Sequence, residues 1–357
     1  MDLFSPVSLG DLHLPNRVVM APLTRTRSGE AGVPGPLVAE HYAQRASTGL
    51  IITEGTYPSH ESQAYPGEPG IVTDEQIEGW RTVADAVHAK GGRIVMQLMH
   101  GGRVSHTDIT GTDRVVAPSA IAIDGSTHGP NGKVALPVPH ALSTEELATV
   151  REEFVTAARN AIAAGLDGVE LHGANGYLLH QFLSPASNQR EDDYGQSPES
   201  RARFVVEVTT AVAEAVGAGR VGIRLSPMHN IQDAFEKDFD DAKATYDAVI
   251  DGIAPLGLAY VSLLHADPTG ELVQDLRQRF GGPFIVNSGF AGLTTRDEAI
   301  ALVEGAHADA VAVGRLAIAN PDLVERWQGA HPENEPQPAT FYGAGAEGYT
   351  DYPRLSA

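Results

Sequence analysis

The sequence predicts a closed barrel of eight parallel strands, each followed by a helix: a (β/α)8 TIM barrel. Two observations predict it. Eight short runs rich in β-branched and small apolar residues follow one another along the chain, and helix-like segments separate them. Continuous apolar runs of this length are typical of strands that are covered on both faces of a parallel sheet. Eight such units favour a closed barrel over the alternative, an open doubly wound sheet.

The predicted strands share a length of five to seven residues and few charges. They are Arg17–Leu23, Leu50–Glu54, Arg93–Met99, Gly168–His172, Val221–Ser226, Ala259–Leu264, Pro283–Ser288 and Asp309–Gly314. The clearest predicted helices lie between them and mostly begin after a capping residue: Thr73–Lys90, Ser143–Ala164, Pro198–Val216, Asp240–Ala254, Thr294–Glu304 and Asn320–Gln328. The predicted caps are Thr73, Ser143, Ser197 and Thr294, and Gly165 and Gly217 are the predicted helix stops.

Four segments depart from the alternation within what we expect to be one domain, residues 1–357. Residues 101–142 hold two β-like runs, VVAPSAIAI and KVALPVP, around a turn signal at 129–132, which predicts a hairpin excursion or lid after strand three. Residues 173–197 are a second long loop. The early stretch VSLGDLHLP predicts a hairpin at the bottom of the barrel, and the tail after Pro332 predicts irregular structure over the surface.

Composition excludes several classes of function. A formal charge of −21 argues against a nucleic-acid partner, because phosphate backbones are held by basic surfaces. The absence of cysteine removes disulfides, thiolate nucleophiles, iron–sulfur clusters and cysteine zinc sites. No secretory signal or membrane-length apolar stretch is visible, so we expect a cytoplasmic protein without a membrane partner, either a monomer or a homo-oligomer.

The carboxyl ends of barrel strands are where functional groups gather. Here they supply hydrogen-bond donors, a cation and glycine turns but few carboxylates, which suits an anionic, ring-shaped ligand. Gly289, Gly314 and Arg315 follow strands seven and eight, where loops often bind phosphate. The alternative is that these glycines only end strands for steric reasons.

His172 and Asn175 lie three residues apart after strand four, so both can donate to one carbonyl oxygen and stabilise enolate-like charge. The Tyr177 phenol is placed to supply a proton to the α-carbon. The alternative is that His172 and Asn175 satisfy loop backbone. Arg224 within strand five is costly to bury without an anion, and Gln97 needs partners for both ends of its amide. A distant carboxylate for Arg224 and an internal backbone partner for Gln97 are their alternatives.

Together these motifs resemble the old yellow enzyme family of FMN-dependent ene-reductases, with the closest likeness to the bacterial subgroup of pentaerythritol tetranitrate reductase and N-ethylmaleimide reductase. PNRVVMAPLTR, HGANGYLLHQFLSP, VGIRLSP and FYGAGAEGYTDYP carry the likeness nearly from end to end. It implies tight, non-covalent FMN, NADPH or NADH as hydride donor, and small activated alkenes as substrates. No metal is implied.

The resemblance also implies roles for single residues. Its cofactor-binding positions are Pro22, Leu23, Thr24, Gly55, Gln97, His172, Arg224, Ser288, Gly289, Gly314 and Arg315. Its substrate-binding positions are Tyr65, Met99, His172, Asn175 and Tyr342. His172 and Asn175 are implied to grip the substrate oxygen and Tyr177 to donate the proton. Gly55 stands where the family usually has alanine. Met99 stands where the family often has tryptophan, and the bacterial relatives have arginine near His140, so the range of substrates does not carry over.

Three rival functions stay open on the residues alone. A flavin-free phosphate-binding isomerase or lyase requires a catalytic Lys or Glu at the end of a strand, and only Glu54 meets this requirement. A metal-dependent hydrolase requires a cluster of His and Asp residues at the strand ends. A non-catalytic flavin binder or sensor would be yellow, but NADPH without oxygen would not bleach it. Gly343–Gly348 fits the dinucleotide pattern G-x-G-x-x-G, but no strand precedes it and nine residues follow it, so it predicts a turn in the tail.

Overall fold

The computed structural model describes residues 1–129 and 132–355. Eight parallel strands form a closed barrel in chain order, each pairing with the next and the last pairing with the first. They are β1 (Val18–Met20), β2 (Leu50–Ile52), β3 (Ile94–Leu98), β4 (Gly168–Gly173), β5 (Val221–Leu225), β6 (Tyr260–Leu264), β7 (Phe284–Asn287) and β8 (Ala310–Val313). The predicted (β/α)8 barrel is confirmed.

Helices cover the outside of the barrel between successive strands. They are α1 (Pro36–Gln44), α2 (Asp74–His88), α3 (Thr144–Ala163), α4 (Pro198–Val216), α5 (Phe239–Ile253), α6 (Glu271–Phe280), α7 (Arg296–Glu304), α8 (Arg315–Ala319) and α9 (Leu323–Gly329). The clearest sequence predictions did not include α1, α6 and α8. Within the described part of the chain, no helix is long and apolar enough to cross a membrane.

Three of the four predicted helix caps are confirmed, and the fourth lies one residue later than predicted. Thr73, Ser143 and Ser197 each accept a hydrogen bond from a backbone N–H in the first turn, as predicted. Thr294 is wrong as a cap: Thr295 accepts from the Glu298 N–H and Glu298 completes a capping box. Either threonine suits the role, and only the position of the glutamate three residues later distinguishes them.

Alternation along the strands divides the side chains into two sets. Outward side chains pack against the helices in the main core. Inward side chains form a second, smaller core in the lower barrel, which includes Val19, Leu50, Val95, Tyr260 and Ile285. The hairpin Val7–Leu9 with Leu12–Leu14 pairs antiparallel and adds three leucines to this inner core. The predicted hairpin at the bottom of the barrel is therefore confirmed.

The excursion, residues 101–142, contains the predicted hairpin but with different strands. Ser126–Gly129 pairs antiparallel with Gly132–Ala135, and the two tip positions, 130 and 131, lie outside the described residues. The run VVAPSAIAI is wrong as a hairpin strand. It supplies Val116–Ala117, which pairs in parallel with His140–Ala141, because Pro118 cannot extend the ladder.

The C-terminal tail, residues 333–355, has little regular structure, as predicted, but it does not lie only on the surface. Tyr349 is fully buried, with its ring stacked on His41 at a centroid distance of 3.9 Å. Arg25 donates to the Gly348 carbonyl at 2.7 Å, and the Arg27 guanidinium lies 4.2 Å from the Tyr349 ring centre. The tail is thus bound to the segment that follows β1.

Candidate active site

The inward side chains at the upper ends of the strands are polar, in contrast to those below. Strand register sets Gln97 of β3 opposite Glu170 of β4, and His172 of β4 opposite Arg224 of β5. The Gln97 side-chain amide donates to Glu170 Oε1 at 2.8 Å. The sequence predicted a ligand or a backbone group as the partner of Gln97. The partner of its amide donor is instead the Glu170 side chain. Glu170 was missed, although a glutamate inside the apolar run GVELH carries the same signal as Arg224.

Arg224 is the most informative residue of this layer. It is 3% exposed, yet its Nε and Nη1 atoms have no hydrogen-bond partner. Burial lowers the pKa of its guanidinium, and the nearby Glu170 charge only partly offsets this effect. Within residues 1–129 and 132–355 no carboxylate forms a salt bridge with it. Buried unpaired donors cost free energy, so this cation is arranged for an acceptor that does not belong to the protein.

His172 is held as a neutral hydrogen-bond donor. Its Nδ1 atom accepts from the Ala174 backbone N–H at 3.3 Å, so the proton of the neutral ring resides on Nε2. Burial, followed by the charges of Arg224 and His180, lowers the pKa of His172 well below its ordinary value. The ring therefore presents an uncharged N–H over the whole physiological pH range.

Asn175 lies in the turn after β4 with a left-handed backbone, φ +58°, a conformation that asparagine tolerates well. Its backbone N–H donates to Ser226 Oγ at 2.9 Å, which ties the turn to the end of β5. Its side-chain Oδ1 is buried without a partner. The structure thus brings Asn175 and His172 to the same edge of the barrel, next to Arg224.

Tyr177 completes this turn. Its ring meets the His172 ring edge-on at 4.8 Å between centroids, and its hydroxyl is 2.9 Å from the hydroxyl of Tyr65. Burial raises the pKa of the Tyr177 phenol well above its ordinary value, with the nearby phenol of Tyr65 as the next cause. The phenol therefore stays protonated and suits the role of an acid rather than a base.

Gly55 and Met99 lie against each other where β2 and β3 end. A Cβ atom on Gly55 would come within 2.6 Å of the Met99 sulfur, so an alanine there would displace Met99. Met99 is 1% exposed and packs with Tyr177, Tyr65, Ile123 and other apolar side chains. The departures from the family pattern at Gly55 and Met99 are therefore one local change, in which a flexible thioether fills the space above a glycine.

The loops after β7 and β8 lie next to the segment that follows β1. Gly289 has φ +89°, which only glycine adopts without strain, and its N–H donates to Asn287 Oδ1 at 3.2 Å. A Cβ on Gly314 would find nothing nearer than Leu23, at 3.7 Å. Ser288 bonds Thr294 through their hydroxyls, and Arg315 donates to the carbonyls of the loop that follows Gly289.

Pro22, Leu23 and Thr24 are each half-buried beyond the end of β1. They lie outside the strand because β1 ends at Met20, earlier than the predicted Leu23. Tyr65 joins the buried cluster of the site, but Tyr342 in the tail is 70% exposed and is not enclosed with it. Of the predicted site residues, Tyr342 is the one that the structure leaves most open to solvent.

Glu54 has a structural role that sequence reasoning did not anticipate. Its Oε2 atom accepts from the backbone N–H groups of Arg25 and Thr26, at 2.9 and 3.0 Å. The carboxylate therefore shapes the segment after β1. Among the described residues no group of three or more His, Asp or Glu side chains is arranged to hold a metal ion.

Comparison with known proteins gives one family. Residues 2–334 match the NADH:flavin oxidoreductase / NADH oxidase family. A probable flavin mononucleotide-dependent alkene reductase of Leishmania infantum is 43% identical over 98% of this chain and 97% of that protein. 12-Oxophytodienoate reductase 1 of Oryza sativa subsp. japonica is 41% identical over 99% of this chain and 93% of that protein.

Solved structures agree over the whole barrel. Morphinone reductase in complex with tetrahydroNAD has a TM-score of 0.93 and 44% identity, covering 100% of this chain and 98% of its own. The old yellow enzyme homologue of Zymomonas mobilis has a TM-score of 0.94 and 36% identity, covering 99% of this chain and 100% of its own. The predicted resemblance to old yellow enzyme is confirmed, and the chain belongs to the NADH:flavin oxidoreductase / NADH oxidase family.

Proposed function

We propose that this chain is an FMN-dependent ene-reductase that reduces α,β-unsaturated carbonyl compounds or nitroalkenes with electrons from NADPH or NADH. The observation that carries the proposal is the buried Arg224 guanidinium with two nitrogen atoms unpaired by protein. An anionic, hydrogen-bonding ring edge at the mouth of the barrel would satisfy it. The relatives named above, an alkene reductase and an oxophytodienoate reductase, support the same class of reaction.

The residues present fit FMN. Arg224 and the free side of Gln97 would hold the pyrimidine edge of the ring, with Pro22, Leu23, Thr24 and Gly55 around it. The loops after β7 and β8 would hold the phosphate, because the backbone there can approach an anion closely. The residues concerned are Ser288, Gly289, Gly314 and Arg315. When bound, FMN would accept hydride from the nicotinamide and deliver it to the β-carbon of the alkene.

The protein's own part is to hold the substrate and move a proton. The neutral His172 Nε2–H and the Asn175 amide would both donate to the substrate oxygen, where negative charge grows as the β-carbon receives hydride. The preset tautomer of His172 means that no reorganisation is needed when this charge appears. The Tyr177 hydroxyl would then protonate the α-carbon, for which its protonated state at neutral pH is required.

The rival readings differ in what they need from the site. A flavin-free isomerase or lyase would use Glu54, but this carboxylate already binds two backbone N–H groups. A non-catalytic flavin binder would not need a protonated phenol beside the imidazole. A cytoplasmic location and a monomeric or homo-oligomeric state stay predictions from the sequence.

The test is an anaerobic titration of the purified holoenzyme. NADPH should bleach the visible flavin absorbance, and cyclohexenone should restore it. The double variant His172→Ala/Asn175→Ala should retain flavin and bleach normally. Its recovery with cyclohexenone should slow by on the order of a hundredfold, because both oxyanion donors are lost. The matched control is His13→Ala, an exposed histidine in the N-terminal hairpin. Unchanged recovery in the double variant would refute the assigned roles, and a colourless protein would refute the function.

A further inference from the structure

The hydrogen bond between the hydroxyls of Tyr65 and Tyr177 assigns Tyr65 a role that lining the pocket does not require. We propose that Tyr65 acts through Tyr177 as a positioning and proton-supplying residue, orienting the Tyr177 hydroxyl and returning a proton to it after each turnover. This inference rests on the proposed function and deepens it.

The geometry of the pair supports a path for the proton. The two oxygen atoms are 2.9 Å apart, a normal O–H···O hydrogen bond in which either can donate. Tyr177 is 8% exposed, whereas Tyr65 is only half-buried. Since Tyr65 is the more exposed residue of the hydrogen-bonded pair, it is the one assigned to exchange its proton with water.

The loop that holds Tyr65 is fixed by a buried carboxylate. Glu68 is fully buried, and its Oε2 atom accepts from the backbone N–H groups of Ala64 and Tyr65, at 2.7 and 3.1 Å. Its other oxygen has no partner. Because burying a carboxyl group with one unpaired oxygen is costly, the two backbone hydrogen bonds it accepts indicate that it holds the Tyr65 backbone in one place. Packing of the Tyr65 ring against the Met99 and Tyr177 cluster restricts its side chain as well.

The proton transfers balance without any further reactant. As the α-carbon gains its C–H bond, the Tyr177 O–H bond breaks and a phenolate remains. The Tyr65 hydroxyl then gives its proton to that phenolate and is itself reprotonated by solvent water. Burial raises the pKa of the Tyr177 phenol well above its ordinary value and raises that of Tyr65 less, so the Tyr177 phenolate takes the proton from Tyr65. The buried phenolate is thereby discharged within the site.

The test is Tyr65→Phe, which removes one oxygen and leaves the ring. In steady-state turnover of the holoenzyme with NADPH, reduction of cyclohexenone should slow by on the order of tenfold, and its solvent deuterium isotope effect should increase, because the return of a proton to Tyr177 becomes slow. Reoxidation by ferricyanide, which requires no carbon protonation, should keep its wild-type rate, and the flavin content should be unchanged. The matched control is Tyr194→Phe, which removes a hydroxyl that bonds Glu207 outside the site.

Three outcomes would overturn the inference. The first is an unchanged cyclohexenone rate and isotope effect in Tyr65→Phe. The second is an equal slowing with cyclohexenone and ferricyanide, which would show damaged packing rather than lost proton supply. The third is a wild-type protein that ferricyanide reoxidises but cyclohexenone does not, which would remove the proposed function itself and the relay with it.

Discussion

Two buried arginines of this chain differ in whether the protein supplies partners for their guanidinium groups. Arg326 is 5% exposed and donates to Asp322 at 2.7 Å and to the Pro353 carbonyl at 2.9 Å. Arg224 is equally buried but leaves two nitrogen atoms unpaired. A satisfied buried cation can be purely structural, whereas an unsatisfied one costs stability and is retained for another reason. This contrast between Arg326 and Arg224 supports the proposed ligand site next to Arg224.

We therefore expect opposite effects from the same substitution at these two positions. Arg224→Met should stabilise the flavin-free protein by about 1–3 kcal/mol, because two buried donor atoms without hydrogen-bond partners are removed. It should also weaken FMN binding at least tenfold. The measurements are urea unfolding of the apoprotein and fluorescence titration with FMN.

Arg326→Met is the matched control, and it should destabilise the apoprotein by about 3–5 kcal/mol, because Asp322 is left buried and unpaired. A loss of apoprotein stability in Arg224→Met comparable to that in the control would contradict the interpretation. It would mean that Arg224 is held by the protein in a way that its contacts do not reveal.

At the scale of elements, the turn after β4 is held by a chain of buried hydrogen bonds. The Gly176 N–H donates to His180 Nδ1 at 2.8 Å, and His180 Nε2 lies 3.1 Å from Glu236 Oε1. Gln181 donates to the carbonyls of Gly176 and Gly101, which joins the β3 and β4 loops. Through these bonds, several residues of the string HGANGYLLHQFLSP hold the shape of the turn that carries His172, Asn175 and Tyr177.

The excursion after β3 packs against the candidate site beside Tyr177. Ile123 and Leu136, one on each side of its hairpin, pack against the cluster of Met99, Tyr65 and Tyr177. The Arg103 side chain donates to the carbonyls of Ile121 and Gln232, so it connects the excursion to the loop after β5. These contacts support the proposal that the excursion is a lid over the substrate.

For this reason we expect Leu136→Ala to affect the substrate rather than the cofactor. Loss of the packing should raise the KM for cyclohexenone severalfold, while FMN affinity and the rate of bleaching by NADPH stay unchanged. Steady-state kinetics and flavin titration measure the two effects. Val138→Ala is the matched control, since Val138 lies two residues after Leu136 in the same segment and is 69% exposed. A weakened FMN affinity in Leu136→Ala would contradict a lid that covers only the substrate.

At the scale of the whole molecule, buried titratable groups make stability depend on pH. Burial lowers the pKa of His100 to about 3. The unfolded chain binds a proton at His100 below about pH 6.5, but the folded chain does not. His100 therefore stabilises the fold fully above that pH, and its contribution is lost as the pH falls toward 3. Glu54, Glu68 and Glu170, whose pKa values burial raises, act in the opposite direction.

His100→Gln should isolate the histidine contribution. Between pH 6.5 and about 4.5, the free energy of unfolding should fall by roughly 2–3 kcal/mol less in this variant than in the wild type, at about 1.4 kcal/mol per pH unit. Urea unfolding at several pH values measures the difference. His13→Gln, at an exposed position, controls for the substitution. Parallel pH dependences in His100→Gln and the wild type would show that His100 is protonated in the folded protein.

The sequence alone determined the barrel and most of the polar positions at its mouth. Strand and helix alternation is a local property of the chain, and the carboxyl ends of parallel strands must meet at one face, so His172, Asn175 and Arg224 were predicted to lie together. The segment boundaries were less certain, as Thr295 and Pro118 show, because neighbouring residues competed for the same local role.

Only the tertiary structure decided which side chains are paired and which are left free. The Gln97–Glu170 hydrogen bond, the unpaired Arg224, the Tyr65–Tyr177 pair and the Gly55–Met99 contact each join residues far apart in the chain. Glu54 fits a catalytic role in sequence, yet it is a backbone anchor in the fold. The physical reason is that hydrogen bonding and packing inside a barrel are set by the register between strands and the paths of loops, which no local pattern encodes.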